Sequence, residues 1–350
     1  MTDLLDLTAE LVDIPSVSHH EERISDYIAG LLTPVPWLEL TRFGHNLVAR
    51  TQLGRSERLV LAGHLDTVPP NGNERARLDG DVLWGLGAAD MKGGVAVLIE
   101  LARSIPDPAV DVTYVFYECE EVDYRFNGLE RLFQERPDLL EAHAAVLAEP
   151  TAGGVEAGCQ GTMYVEVTMA GTRAHTARGW KGRNAIHRLA PLLGALAVYE
   201  GRRVVLDGCA FQEGLQAVKV TGGVASNVVP DLAVLTLNHR FAPDRTPEEA
   251  EAHVREVVGS VDRFEVIDCS PAAAPSLGHP LLQALLGLTE QLPRAKLGWT
   301  DVARFAARGI PATNFGPGDP NVAHRHDERL TRSDIGNAYR VLASLLRAQP

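Results

Sequence analysis

Cysteine is scarce in this chain: four in 350 residues, at positions 119, 159, 209 and 269, with no C-x-x-C pair among them. That scatter argues against a disulfide framework and suits reduced thiols in a cytoplasmic protein. Basic charge is also short. Lys and Arg total 33 against 46 Asp and Glu, with no Lys/Arg-rich run, which argues against a nucleic-acid backbone or an anionic membrane as partner. Long apolar runs are missing as well, and none approaches a membrane span. Met1–Asp6 carries acids early and has no basic segment followed by an apolar core, so it does not read as a signal peptide. A cytoplasmic protein acting on small molecules is what these absences leave.

What is present begins with length, which exceeds the size at which a single core usually keeps growing and makes two domains the natural expectation. The most informative stretch is Leu59–Pro69, an apolar run that ends abruptly in His64 and Asp66. A buried parallel strand delivering polar side chains to the carboxyl edge of a sheet has this pattern. The same event recurs. Gly85–Gly94 places Asp90 just before the apolar stretch 95–101, Val112–Tyr117 runs into Glu118, Glu120 and Glu121, and Ala144–Ala148 runs into Glu149. Each has a plain alternative: a hydrogen-bonded structural His, Asp90 as a helix N-cap, a solvated acidic loop. Recurrence at one sheet edge makes them together a candidate metal site, with Asp66 fixing the His64 tautomer.

Periodicity supplies the remaining elements. Residues 3–14 read as helix, and Ser18 with Glu21 three positions on reads as a capping box opening an amphipathic helix through Leu32. From about 159 to 274 the texture changes to alternating strands, at 163–170, 216–220 and 232–238, with helices at 183–198 and 246–259, which suggests an inserted α+β domain. Helices at 279–292 and 301–308, a strand at 312–315 and a terminal helix capped by Thr331 resume the first domain. The expected organisation is 1–158 and 275–350 for the first domain and 159–274 for the insertion.

Gly63–Pro69, Gly87–Gly94, Glu120-Glu121, Ala148-Glu149-Pro150 and Ala323–Glu328, in this order and over nearly the whole chain, resemble the co-catalytic dizinc peptidase family that includes aminoacylases, carboxypeptidases and deacylases of amino acids. The resemblance implies an α/β catalytic domain with a mostly parallel sheet, interrupted by an α+β lid and dimerisation domain. It implies two Zn2+ per subunit, with Co2+ able to substitute: His64 and Glu149 on one ion, Glu121 and His324 on the other, Asp90 bridging. His326 is the rival for His324. It further implies Glu120 as general base and then acid, Asp66 as the residue orienting His64, and His175 as an oxyanion donor reaching the partner subunit's site in a homodimer. Asn227 and Arg240 fall at lid positions that contact substrate polar groups and carboxylate, and Thr300 lies in a loop near the substrate. Arg173–Trp180 and Asn238–Pro243 look most like the family's actinobacterial desuccinylase branch, which implies hydrolysis of N-succinyl-LL-2,6-diaminopimelate. Cys119, Cys159-Gln160-Gly161 and Gly298–Asp301 depart from the common pattern and bear on substrate choice. Acetylornithine or another N-acyl amino acid is the alternative substrate, and a non-catalytic, zinc-stabilised binding protein the alternative class.

Overall fold

The computed structural model describes residues 3–348. They divide into two compact units, one of Met1–Gly158, Pro275–Ala295 and Asp301–Pro350, the other of Cys159–Ala274 and Lys296–Thr300.

In the first unit the chain runs α1 (Leu4–Val12), α2 (Glu22–Leu32), β1 (Glu39–Phe43), β2 (Asn46–Arg50), β3 (Arg58–His64), β4 (Arg77–Asp79), β5 (Val82–Trp84), α3 (Gly93–Ser104), β6 (Asp111–Tyr117), α4 (Gly128–Glu135), β7 (Ala144–Leu147) and β8 (Glu156–Ala157). The inserted unit contributes β9 (Gly161–Ala170), α5 (Ala190–Ala197), β10 (Arg203–Leu206), β11 (Cys209–Gln212), β12 (Gly214–Gly222), β13 (Leu232–Phe241), α6 (Pro247–Val258) and β14 (Arg263–Ser270). The first unit then closes with α7 (Pro280–Leu288), β15 (Arg294–Ala295), α8 (Val302–Ala306), β16 (Ala312–Asn314), β17 (Arg329–Thr331) and α9 (Arg332–Arg347).

The main sheet has the order β1-β2-β6-β3-β7-β16-β8-β15. Its centre, β6-β3-β7-β16, is parallel throughout, while β1, β2 and the β16–β8 pair are antiparallel. Every residue of β6 and β7 is buried, as in a sheet covered on both faces, which is why these strands read as unbroken apolar runs. Helix α3 is buried along nearly its whole length. Its start comes so close to the end of β7 that a Cβ on Gly94 would lie 2.2 Å from the Ala148 carbonyl oxygen. Glycine there lets the Asp90 loop and the Glu149 strand end approach each other.

The inserted unit is a four-stranded antiparallel sheet, β12-β13-β9-β14. Met163, Val165, Val167 and Met169 alternate onto one face of β9, and with Leu235, Leu237, Ala250 and Val254 they form a separate core. α6 opens on a capping box formed by Thr246 and Glu249.

Four local expectations are not met as the pattern had them. Ser18 does not cap α2; its hydroxyl donates to Asp66 at 2.7 Å, and the cap position is Glu21 without a side-chain cap bond. The tertiary partner wins over the local one. Helix 183–198 is shorter, because the Ala185 amide donates to the Pro230 carbonyl from a turn and the helix proper begins beside Pro191, preceded by a 3-10 turn. α7 and α8 likewise stop at Leu288 and Ala306. No helix of the described residues is long and apolar enough to cross a membrane.

Candidate metal centre

Four adjacent parallel strands end at one edge, and the polar side chains gather where they end. His64 closes β3 and is buried, its amide donating to the Met91 sulfur at 3.2 Å. One ring nitrogen, Nδ1, lies 3.0 Å from the Asp66 carbonyl oxygen and 3.5 Å from the Asp66 carboxylate; the other, Nε2, lies 3.2 Å from Asp90 Oδ1. Asp90 is not an N-cap: the cap position of α3 is Lys92, with no side-chain cap bond, and the Asp90 carboxylate turns to the imidazoles instead. Its second oxygen, Oδ2, faces His324 Nε2 at 3.6 Å, and the same nitrogen is 2.9 Å from Glu121 Oε1. The Asp90 carboxylate therefore stands between two imidazoles, with one oxygen toward each. His64, Asp90 and Glu121 each offer a ligand atom within 4.8 Å of the others. Of the two rival histidines it is His324 that lies here; the His326 side chain is 74% exposed and points toward Asp327.

Electrostatics follow from this crowding. Burial works to raise the Asp90 carboxyl and to lower the His64 imidazole, yet their hydrogen bonds win: Asp90 is held well below the usual carboxylate range by His324 and His64, and His64 is raised well above the usual range by Asp66 and Asp90. Hydrogen bonds to Asp90 and Glu121 push His324 up to about 10. Glu120 differs. Burial pushes its carboxyl well above the ordinary value, and although His64 pulls the other way, the charges of Glu121, Glu149 and Asp301 reinforce the rise. Glu149 is buried just past the end of β7. Two imidazoles and several converging carboxylates form an oxygen- and nitrogen-donor set whose excess negative charge a divalent cation would neutralise, and a carboxylate shared between two imidazoles has the form of a bridging ligand.

Two further carboxylates hold this set in place. Asp66, fully buried, accepts from the amides of Glu120 at 2.9 Å and Glu121 at 3.0 Å and from Ser18, so one residue orients both His64 and the acidic loop. Glu328, also buried, accepts from the amides of Gly87, Ala89 and Asp90 at 2.9 to 3.0 Å. Burial raises its carboxyl to about 7 despite those three donors. Its supporting role was not legible beforehand, since its partners lie 238 to 241 positions away. Glu328→Ala would strand three largely buried amides at about 1 kcal/mol or more each, so the unfolding free energy should fall by at least about 3 kcal/mol. A urea midpoint equal to that of the wild type would count against this role.

The other expected site residues lie in the inserted unit. His175 is exposed, its Nδ1 accepting from the Ala177 amide at 3.1 Å, and it bridges Val228 beside Asn227, whose carbonyl accepts from Thr176. Half-buried Arg240 donates to Asn238 at 3.2 Å, and Thr300 is buried with its carbonyl taking the Cys159 thiol at 3.6 Å.

Comparison with known proteins decides the family, for the sequence profile of peptidase family M20/M25/M40 matches residues 60–348. The chain belongs to that family. Over 346 residues it is 51% identical to a Mycobacterium tuberculosis protein provisionally named succinyl-diaminopimelate desuccinylase DapE, covering 98% of each chain. It is 43% identical to the succinyl-diaminopimelate desuccinylase of Corynebacterium glutamicum, over 98% of this chain and 96% of that one. Among solved structures, an M20 family metallo-carboxypeptidase from Sulfolobus solfataricus superposes with a TM-score of 0.80 over 99% of both chains at 18% identity, a likeness of fold. The M20 fold is thus the scaffold on which the His64–Asp90–Glu121 cluster is built.

Proposed function

We propose that this M20 protein is a metal-dependent amidohydrolase that cleaves N-succinyl-LL-2,6-diaminopimelate to succinate and LL-2,6-diaminopimelate. The observation that carries the chemistry is the Asp90 carboxylate set between His64 and His324 with Glu121 alongside. The substrate is carried by the two actinobacterial relatives, both bearing the desuccinylase name.

His64 and Glu149 would hold one Zn2+, Glu121 and His324 a second, and Asp90 both. Bound there, the pair would supply Lewis acidity toward the amide carbonyl and a hydrolytic nucleophile at neutral pH. Glu120 takes a proton on its carboxylate as the nucleophile adds and returns it to the leaving nitrogen. Asp66 keeps the His64 ring in one orientation. Arg240 offers a bidentate fork to a substrate carboxylate, Asn227 and Thr300 contact its polar groups, and His175 stabilises the developing oxyanion in the partner subunit's site.

A homodimer fits the inserted unit, where Trp180 is 80% exposed and the edge strand β12 shows Val218 and Val220 to solvent, an apolar surface of the kind self-association covers. The four cysteines stand as thiols, which is compatible with a cytoplasmic setting.

Steady-state rates on a panel of N-succinyl and N-acetyl amino acids test the substrate. The expected kcat/KM for N-succinyl-LL-2,6-diaminopimelate exceeds that for N-acetylornithine by about 100-fold or more, because a site built to pair a second carboxylate leaves polar groups unmet by a substrate lacking it. A preference for N-acetylornithine would replace this reading with a deacetylase.

A further inference from the structure

The turn after β6 carries Glu120 and Glu121, and its backbone amides are satisfied by side chains from elsewhere in the first unit. The Glu118 amide donates to Asn46 Oδ1 at 3.0 Å, Cys119 to Glu21 Oε1 at 3.2 Å, Glu120 to Asp66 Oδ1 at 2.9 Å and Glu121 to Asp66 Oδ2 at 3.0 Å. The need for such acceptors is local. Cys119 has φ of +59°, a left-handed conformation that takes the chain out of the strand ladder, so its amide and the next two lose the partners a continuing strand would give them.

Asn46 lies on β2 and Asp66 just beyond β3, but Glu21 belongs to the segment between the first two helices and has no part in the sheet. It is fully buried. Oε1 accepts the His19 amide at 2.9 Å, the Cys119 amide and, at 3.4 Å, the Cys119 thiol, so a single oxygen ties the residue before Glu120 to the N-terminal segment. Ser18, three residues earlier, ties the same segment to Asp66. Burying a carboxylate is costly, and burial together with the Asp66 charge holds the Glu21 carboxyl above its ordinary range. A chain that needed only an apolar filler here would not keep an acid.

We infer that Glu21 is a positioning residue for Glu120: its buried oxygen fixes the Cys119 amide in the left-handed turn and thereby sets the direction of the next side chain. The inference rests on the reading of Glu120 as the base. Glu21 is not among the clustered ligand atoms of His64, Asp90 and Glu121, so its removal changes how well Glu120 is placed and leaves metal binding alone.

The test uses the full-length protein. Glu21→Ala removes the acceptor and should lower kcat by about 10- to 100-fold, the scale expected for displacing a catalytic group by about 1 Å, with KM within about twofold of wild type and metal content unchanged. Glu21→Gln keeps an oxygen at the same reach without the charge and should hold kcat within about threefold. If the alanine variant does not fold, Glu21→Asp, which draws the acceptor back by one methylene, should lose about tenfold. In metal-free protein, hydrogen exchange at the amides of 119–121 should be at least about tenfold faster in Glu21→Ala or Glu21→Asp than in wild type, while the amides of β6 keep their protection. Unchanged exchange at 119–121, a kcat loss as large in Glu21→Gln as in Glu21→Ala, or a loss that merely follows metal content would each overturn the proposal. Exchange is read without metal or substrate, so it judges the clamp separately. A wild-type protein that turned over none of the acyl amides would defeat the functional reading instead.

Discussion

Glu120→Ala should lower kcat on N-succinyl-LL-2,6-diaminopimelate by about 100- to 10,000-fold, the range a positioned general acid–base supplies, while metal content stays at the wild-type value. The two consecutive acids divide cleanly in the structure. Glu121 lies with His64 and Asp90 in the cluster able to hold an ion and sits 2.9 Å from His324; Glu120 is not among those ligand atoms. Yet both amides are tied to the two oxygens of the same Asp66 carboxylate, so the backbone positions of Glu120 and Glu121 are set together. Burial pushes the Glu120 carboxyl upward, His64 pulls it down, and the charges of Glu121, Glu149 and Asp301 push it up again, so without bound cations this acid is one the cluster disfavours as an anion. Elemental analysis beside the kinetics separates the roles. A Glu120→Ala protein that lost metal in parallel with activity would make Glu120 a ligand.

The sheet edge was legible in the sequence because of how parallel strands are built. A strand buried on both faces must be apolar along its length, so the abrupt change at His64, at Glu118 and at Glu149 marks the end of a strand, and strand ends in a parallel sheet share one edge. The supports of the site were not legible. Ser18 and Glu21 have the spacing of a capping box, and local pattern gave them to α2; the fold uses them instead to reach Asp66, 48 positions on, and Cys119, 98 positions on. Glu328 meets the glycine-rich Asp90 loop from the far end of the chain. Capping is read from neighbours in sequence, whereas these carboxylates answer backbone amides that only the folded turn leaves unpaired. The same limit applies to Asp301 and Arg304. They read as parts of a helix, but the first accepts from Asn127 and from Arg304, whose guanidinium also reaches Glu130 and stacks on Tyr124.

Chelation should remove all measurable turnover, a loss of at least about 1,000-fold, and added Zn2+ should restore it along a titration that levels off at two ions per chain. The plateau bears on the arrangement as well as on the requirement. Asp90 turns one oxygen to His64 and the other to His324, so the two halves of the site share it, and Asp90→Ala should weaken both ions together by more than about 100-fold, whereas His64→Ala and His324→Ala should each chiefly release one. Thermal unfolding gives an independent readout, because ligand present at about 1,000 times its dissociation constant stabilises the folded chain by about 4 kcal/mol. The melting temperature of the metal-free protein should therefore rise on adding Zn2+, and in Asp90→Ala, where a loss of affinity of about 100-fold leaves about 1.4 kcal/mol of that stabilisation, the rise should shrink to about a third or less. Activity that plateaus at one ion, with Zn2+ raising the melting temperature of Asp90→Ala as much as that of the wild type, would leave His64 and His324 on separate sites and remove the shared carboxylate from the mechanism.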